Sequence, residues 1–237
     1  MEAALDAEIV LACVGNDNDL KDVTIGDYGA FKSMKKNSIF IDHTTVSANI
    51  TKELYSSAKE SSILYIDAPI SGGQAGAING QLSIMCGGDQ GAYKRSFEIM
   101  KIYSKVCKLM GETGSGQLTK MVNQICIAGL IQALAEGMHF SRRAGLNTID
   151  VMDVITKGAA QSWQMENRWE TMLNDEYDFG FAVDLMRKDL DIVLKQAKKM
   201  DAELEVTDLV NNFYKEIQES GGGRWDTSSL LKRIQQK

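Results

Sequence analysis

Short apolar runs and polar or glycine-rich loops alternate along the first half of the chain, which is the pattern of a buried sheet. Five such runs predict strands: residues 8–14, 38–42, 63–67, 82–86 and 105–110. Helices are predicted between them over residues 47–61, with Ser47 as the N-cap, and 89–103. This alternation predicts a parallel sheet with helices on both faces, and such sheets bind ligands at the carboxyl ends of their strands.

The second half of the chain shows helical periodicity only. One long helix follows the turn at Gly116 and ends near Arg143, before Gly145, a residue that commonly terminates helices. Its run over residues 125–131 is apolar on nearly every side, which predicts burial. Later helices are predicted over residues 149–156, 163–173, 183–200, 207–219 and 228–234. The fold class is therefore α/β: a sheet domain over residues 1–113 and an all-α domain over residues 114–237.

Composition and charge argue against several classes of function. The net charge of −6, without a basic run, argues against a nucleic-acid partner, and the apolar runs are too short for the ~20 residues of a membrane span. Two histidines offer little for a His-based metal site, so no metal is expected. Four cysteines lie in apolar runs, outside metal-ligand spacing, and we expect reduced core thiols in the cytoplasm or a mitochondrial matrix: Cys13, Cys86, Cys107 and Cys126.

Residues 111–124 offer candidate acid–base chemistry. A glycine-rich turn opens the long helix, and helical spacing places Lys120, Asn123 and Gln124 on one face. Burial lowers the pKa of a lysine, which suits it to donate and accept protons in catalysis. The alternative is a lysine at the wet end of a core helix that extends to water.

Two motifs decide between these readings. Residues 67–77 read D-A-P-I-S-G-G-Q-A-G-A, and residues 114–123 read G-S-G-Q-L-T-K-M-V-N. Together they resemble the β-hydroxyacid dehydrogenase family, which includes 3-hydroxyisobutyrate dehydrogenase, tartronate semialdehyde reductase and, more distantly, 6-phosphogluconate dehydrogenase. The resemblance covers the whole chain. It implies the C-terminal part of a Rossmann-type domain followed by a helical domain that dimerises.

The resemblance also implies roles for the helix residues. A hydride passes between the β-carbon of a hydroxy acid and a nicotinamide, with Lys120 as the general acid/base. Asn123 and Gln124 would bind the substrate and hold the lysine, or else pack at a domain junction. Ser71, Gly72 and Gly73 would cradle the substrate carboxylate, because two glycines let backbone N–H groups turn inward; the alternative is a flexible loop.

NAD or NADP is the cofactor that the resemblance implies. Val14 and Gly15 occupy positions where relatives usually have Leu-Pro, Thr45 matches a residue near the nicotinamide ribose, and Lys188 matches a lysine of the helical domain. A Lys-Asp pair on a helix is otherwise usually a solvated face. Asp226 would cap the last helix or line the pocket, and the cap is preferred.

Members of this family open with a strand and a G-x-G-x-x-G turn, and residues near the N-terminus here contain no such turn followed by a helix. We therefore expect the chain to begin just before the fourth strand of the family's Rossmann domain. The leading hypothesis is an NAD(P)-dependent 3-hydroxyacid dehydrogenase with a small carboxylate substrate, as a homodimer or homotetramer. A semialdehyde or glyoxylate reductase of the same family, and a non-catalytic oligomerisation or binding module, stay open.

Overall fold

The computed structural model describes residues 1–236, which form two compact units, Met1–Asn123 and Gln124 onward. The division falls within the long helix, further along the chain than the boundary at residue 113 drawn from sequence. Each unit is described by itself below.

The first unit contains one six-stranded sheet. Its strands are β1 (Ile9–Ala12), β2 (Ile39–Asp42), β3 (Leu64–Asp67), β4 (Ile70–Ser71), β5 (Leu82–Gly88) and β6 (Ser104–Gly111), in the order β1-β2-β3-β5-β4 with β6 beside β5. The first three strands are parallel, and their register places Asp42 opposite Asp67. Both aspartates therefore lie at the carboxyl edge of the sheet.

One prediction for the sheet is wrong. β5 is antiparallel to β3 and β4, and only β6 restores a parallel pairing with it. A parallel crossover usually contains a full α-helix. The link from β3 to β5 holds only the two-residue β4, which sequence reasoning missed, and the six-residue helix α3.

Helices cover both faces of this sheet: α1 (Asp17–Ile25), α2 (Ala48–Glu60), α3 (Gly73–Ile78) and α4 (Gln90–Met100). Ser47 caps α2 as predicted, its hydroxyl accepting from the Ile50 N–H at 3.2 Å. Side chains alternate along β2, so Phe40 stacks on Tyr65 in one core while Ile39 and Ile41 pack into the other.

The second unit is helical. The helix α5 (Ser115–Arg143) enters it, followed by α6 (Thr148–Ile155), α7 (Trp163–Leu173), α8 (Val183–Lys199), α9 (Glu205–Glu219) and α10 (Leu230–Gln235). By length and composition α5 could cross a membrane, a test that the core helix of a soluble protein also passes. Its buried residues Ala128, Ile131 and Met138 join a core with α8 and α9.

Two predictions about burial are wrong in part. The run over residues 125–131 is not buried all round, since Cys126 and Leu130 are exposed. Cys13 is exposed as well, so only Cys86, which is fully buried, and Cys107, which is half-buried, belong to a core. The apolar sequence around these positions could not show which turn of a helix or which end of a strand faces solvent.

Candidate active site

Two loops at the carboxyl edge of the sheet are tied together by side chains. After β1, the Val14 N–H donates to Thr44 Oγ1 at 3.1 Å. After β2, Ser47 donates to the Asp17 carboxylate through its N–H at 2.9 Å and through its hydroxyl at 2.6 Å. The half-buried Thr45 lies inside this fixed segment, so the structure holds its backbone between two anchored neighbours.

Gln117 joins the loop after β2 to the first turn of α5. Its amide nitrogen donates to the Thr44 carbonyl at 2.7 Å, and its amide oxygen accepts from the Val46 N–H at 3.1 Å. The side chain is fully buried. Both amide ends are satisfied by the backbone on either side of Thr45, which fixes that residue relative to α5.

Asp67 holds the start of α5. One carboxylate oxygen accepts from the Gly114 N–H at 2.8 Å and the other from the Gln117 N–H at 3.1 Å. These N–H groups belong to the helix terminus, where donors have no intrahelical partner. The carboxylate therefore supplies the partners that the first turn lacks and fixes it above β3.

The two glycines of the G-S-G turn are required for different physical reasons. Gly114 has φ +94°, a conformation that side-chain-bearing residues rarely adopt. Gly116 is needed for space, because an added Cβ would lie 2.4 Å from the Met85 carbonyl oxygen and 2.7 Å from an Asp67 carboxylate oxygen. α5 thus begins in direct contact with the ends of β3 and β5.

Lys120 follows one turn after this anchored start and is buried, with 6% of its surface exposed. Asn123 lies one turn further along the same helix and is half-buried. Lys120, Asn123 and Gln124 all lie in the first turns of α5, and their roles stay predictions. The anchored backbone makes the position of Lys120 depend on Asp67 and Gln117.

Three titratable groups near this edge are buried. Burial raises the pKa of Asp42 to about 7, against the opposing effect of hydrogen bonds from Thr44 and the Tyr65 hydroxyl. Burial also raises the pKa of Asp67, while its backbone donors lower it. Burial lowers the pKa of His43, whose Nδ1 lies 2.6 Å from the Ala68 carbonyl oxygen.

The neutral form of His43 fits its surroundings. Nδ1 must donate to the Ala68 carbonyl, and Nε2, 2.9 Å from the Tyr103 hydroxyl, then accepts from it. The ring therefore braces the loop after β3, which leads to the Ser71–Gly73 segment, and its lowered pKa keeps it in this form.

Ser71 ends β4, and Gly72 and Gly73 follow with φ of +131° and +60°. Turns that contain such residues can present backbone N–H groups to an anion. An added Cβ on Gly73 would meet nothing within 4 Å, so open space adjoins the turn. The role of the segment as a carboxylate cradle stays a prediction.

In the second unit, the Asp189 carboxylate links two predicted site residues. It accepts from the Gln124 amide at 2.6 Å and lies 2.9 Å from Lys188 Nζ. Gln124 and Asp189 are almost fully buried, and Lys188 is partly exposed. Lys188 is therefore not the fully solvated lysine that an isolated Lys-Asp pair on a helix usually is.

Asp226 organises the end of the second unit. As predicted it caps, accepting from the Ser228 N–H at 3.0 Å at the start of the turn before α10. It also accepts from Arg168 Nε at 3.0 Å and from the Phe181 N–H at 2.9 Å. The guanidinium lies 5.1 Å from the ring centroid of Trp163, so the carboxylate, the arginine and the aromatic ring form one structural cluster.

Sequence reasoning missed Asp42, Asp67 and Gln117 as positioning residues. A signal for the aspartates was present: each ends a buried strand that is otherwise wholly apolar. Gln117 carried no such signal, because a polar residue in the first turn of a helix is ordinary, and its partners are 71 and 73 residues away.

Comparison with known proteins shows which family the chain matches. Residues 1–111 match the family described as the NAD binding domain of 6-phosphogluconate dehydrogenase, and residues 114–234 match that described as NAD-binding of NADP-dependent 3-hydroxyisobutyrate dehydrogenase. An uncharacterized oxidoreductase of Shewanella frigidimarina is 52% identical, over 99% of this chain and 80% of its own length. The chain belongs to the β-hydroxyacid dehydrogenase family.

Two further relatives support membership. The 2-hydroxy-3-oxopropionate reductase of Escherichia coli is 31% identical over 97% of this chain and 78% of its own. The crystal structure of a 3-hydroxyisobutyrate dehydrogenase from Salmonella typhimurium superimposes with a TM-score of 0.89, at 28% identity, covering 98% of this chain and 81% of that one. The recognition from two motifs and the fold class are confirmed.

This β-hydroxyacid dehydrogenase is an NAD(P)-dependent oxidoreductase. Its own residues fit the cofactor: the loops after β1 and β2 occupy the edge at which parallel sheets bind nucleotides. Gly15 brings one loop close to α1, since an added Cβ would lie 2.6 Å from the Asp19 carboxylate. The Asp19 carboxylate would have to move to admit a side chain at this position.

Proposed function

We propose that this protein oxidises a small 3-hydroxy acid of the 3-hydroxyisobutyrate type, with Lys120 as the general acid/base. The observation that supports this most is the burial of Lys120 one turn beyond a helix start that Asp67 and Gln117 anchor. A buried amine on a fixed backbone is the kind of group that exchanges a proton with a substrate hydroxyl. Asn123, one turn on, would hold the substrate or the lysine.

The direction of the reaction decides whether the neutral or the protonated form of Lys120 takes part. In the oxidation direction neutral Lys120 takes the hydroxyl proton as the β-carbon loses its hydride, and in reduction the ammonium returns a proton to the forming alkoxide. Bound NAD or NADP supplies the hydride acceptor or donor. Thr45, Val14 and Gly15 would contact it at the carboxyl edge. The cofactor contact of Lys188, which lies 2.9 Å from Asp189 in the second unit, is supported by the family resemblance alone.

The substrate carboxylate is assigned to Ser71, Gly72 and Gly73. The two glycines provide positive-φ backbone with open space beside Gly73, and Ser71 adds a hydroxyl. Recognition by this cradle requires a carboxylate at a fixed distance from the reacting carbon. The proposal therefore distinguishes 3-hydroxy acids from their 2-hydroxy isomers. Gln124 belongs to the second unit, where it donates to Asp189, and its substrate role is supported by the family resemblance alone.

The reducing direction is the second candidate. A 2-hydroxy-3-oxopropionate reductase is among the relatives, and the same residues would serve in reverse. In that case a semialdehyde with a carboxylate is the preferred substrate, and NADPH the preferred donor. Both candidates require proton exchange with Lys120 and binding of a carboxylate by Ser71, Gly72 and Gly73.

Matched substrates test the proposal. Initial rates of nicotinamide reduction are measured with 3-hydroxyisobutyrate, its methyl ester, 3-hydroxypropionate and lactate, each with NAD and with NADP. Turnover of 3-hydroxyisobutyrate and 3-hydroxypropionate, with at least tenfold lower kcat/KM for the ester and for lactate, is the expected result. Preference for lactate, or indifference to the ester, contradicts the cradle. Absence of turnover with every acid and semialdehyde, together with absence of cofactor binding, favours the non-catalytic module.

We also propose that the protein is a homodimer formed through the helical unit. Exposed positions recur on one stripe of α5, including the apolar Leu130 and Phe140, which are 43% and 71% exposed. An exposed apolar stripe of this kind can be buried against the same helix of a second copy. Leu130→Glu should shift sedimentation toward monomer, whereas Val206→Glu, at an exposed apolar position on α9, should not. A wild-type monomer would overturn the proposal.

A further inference from the structure

Two cysteines far apart in sequence lie in contact on neighbouring strands of the first unit. Cys86 on β5 and Cys107 on β6 have their Sγ atoms 3.6 Å apart. The register pairs Ile84 with Cys107 and Cys86 with Leu109, so both thiols point to the same face of the sheet, toward the core beneath α4. Neither cysteine belongs to the candidate active site.

The two thiols differ in access and acidity. Cys107 is half-buried, and the thiol of Cys86 as hydrogen-bond donor lowers the pKa of Cys107. Cys86 is fully buried, and both its contact with Cys107 and its burial raise its pKa. Cys107 is therefore the more accessible residue and has the more acidic thiol, and Cys86 is shielded and has the less acidic thiol. Thiolate character and access decide which cysteine an oxidant attacks first.

We propose that Cys107 and Cys86 form a two-cysteine oxidation site that small hydroperoxides convert into an intramolecular disulfide. The Cys107 thiolate attacks one peroxide oxygen; an S–O bond forms, the O–O bond breaks, and the departing hydroxide takes a proton to become water. Cys86 sulfur then attacks Cys107 sulfur; the S–S bond forms, the S–O bond breaks, and the hydroxyl leaves as water with the Cys86 proton. The two thiols lose two electrons, and hydrogen peroxide gains them.

The two sulfurs must move to form a disulfide. A disulfide needs an S–S distance of about 2.05 Å, so the sulfurs must approach from van der Waals contact. The register places the two cysteines diagonally, two residues apart on neighbouring strands, so closure requires the strands to shift as well as the side chains. The pairing of β5 with β6 is already irregular between Cys86 and Gly87, where the register shifts.

Peroxide treatment of the folded, reduced chain tests the proposal without any assay of enzyme activity. The expected product has lost two hydrogens, retains two of its four free thiols, and yields a linked pair of Cys86 and Cys107 peptides that dithiothreitol separates. The double variant Cys13→Ser/Cys126→Ser removes the two exposed cysteines and should give the same link at the same rate. Oxidation confined to Cys13 or Cys126 in wild type would overturn the proposal.

Single variants test the order of the steps. Cys86→Ser should leave a sulfenic acid on Cys107 that dimedone captures, and Cys107→Ser should slow loss of the Cys86 thiol at least tenfold. If Cys86→Ser destabilises the buried position, Cys86→Ala serves in its place. Dimedone capture at Cys86 in the Cys107→Ser variant at the wild-type rate would overturn the assigned order. These outcomes are independent of the dehydrogenase proposal, because none depends on cofactor or substrate.

Discussion

Gln117 stabilises the loop after β2 with both ends of one side-chain amide. Its partners, the Thr44 carbonyl and the Val46 N–H, are buried backbone groups, and Thr45 lies between them. A buried backbone group that loses its partner costs about 1–3 kcal/mol. The loop that we assign to the nicotinamide side of the cofactor therefore owes its conformation to a residue of the helix that carries Lys120.

Gln117→Leu tests this coupling. The variant keeps the buried volume but leaves both backbone groups without their partner, so we expect a loss of roughly 2–4 kcal/mol in unfolding free energy. We also expect KM for NAD(P) to rise about tenfold, which corresponds to ~1.4 kcal/mol of binding. Steady-state kinetics with varied cofactor measure the second effect.

Gln132→Leu is the matched control. Gln132 is also a buried amide of α5, and it donates to Glu136 at 2.6 Å within the second unit. Its replacement should leave KM for the cofactor unchanged. Equal KM values in wild type and Gln117→Leu would show that Thr45 does not depend on the amide.

Asp42 predicts a pH dependence of stability. Its pKa is raised from 3.8 to about 7 in the folded chain, so the folded state holds a proton that the unfolded state releases. This contribution to stability is complete below about pH 4 and is lost as the pH rises through 7. Asp42→Asn mimics the protonated form and lacks this loss.

Chemical denaturation across this range separates the two proteins. Near pH 4 the unfolding free energies of wild type and Asp42→Asn should nearly coincide, and above pH 7 the variant should be more stable by a few kcal/mol. The difference should grow with pH through this window. A difference independent of pH would mean that Asp42 is ionised throughout.

At the scale of residues, the sequence predicts the candidate catalytic and binding residues better than the residues that position them. Lys120 and the Ser71–Gly73 cradle could be proposed because their residue types are unusual where they occur and match two motifs. The bonds of Asp67 and Gln117 could not, because their partners lie about 50 to 70 residues away in the chain and depend on the registered sheet. Long-range hydrogen bonds of ordinary residues leave no local pattern.

At the scale of elements, the start of α5 is the most constrained part of the fold. Asp67 supplies acceptors to its first N–H groups, and Gly116 lets it touch the ends of β3 and β5. Gly87 contributes from the other side, since its added Cβ would lie 2.8 Å from the Gly116 nitrogen and 2.6 Å from the Asp67 carboxylate. The geometry that positions Lys120 is thus built from two strands and one helix terminus.

Two glycine substitutions in the same helix should have opposite effects. Gly116→Ala forces a methyl group against backbone atoms, and we expect a loss of at least 2 kcal/mol in unfolding free energy and a fall in activity. Gly129→Ala meets no atom within 4 Å and replaces glycine in a helix interior, which should stabilise by up to ~1 kcal/mol. Thermal unfolding compares them directly, and similar losses in both would contradict the close contact at Gly116.

Elements were predicted more accurately than their pairing. The helices of the second half begin and end within a few residues of the predicted positions, because each carries its own apolar period. The direction of β5 was wrong, because an apolar run reads the same whichever way the strand lies. The strand direction is decided by the link between β3 and β5. The only strand in that link, β4, has two residues, which are too few to show a recognisable period.

At the scale of the whole molecule, the chain forms two compact units, and each contains predicted site residues. The first holds the anchored loops, the cradle and Lys120, and the second holds Lys188 beside Asp189. The fold class could be predicted from sequence because the change from strand to helix periodicity is abrupt. The position of the division within α5 could not, because a continuous helix shows no break in its pattern.

The most direct measurement is the rate of 3-hydroxyisobutyrate oxidation by Lys120→Ala beside wild type, with cofactor binding measured on both proteins. We predict that kcat falls by about 10²–10⁴-fold, the range for loss of a general acid/base, while Kd for NAD(P) changes less than threefold. Lys120→Arg should be as inactive, because a guanidinium does not release its proton at neutral pH. A Lys120→Ala enzyme that retains wild-type kcat would contradict the proposed chemistry.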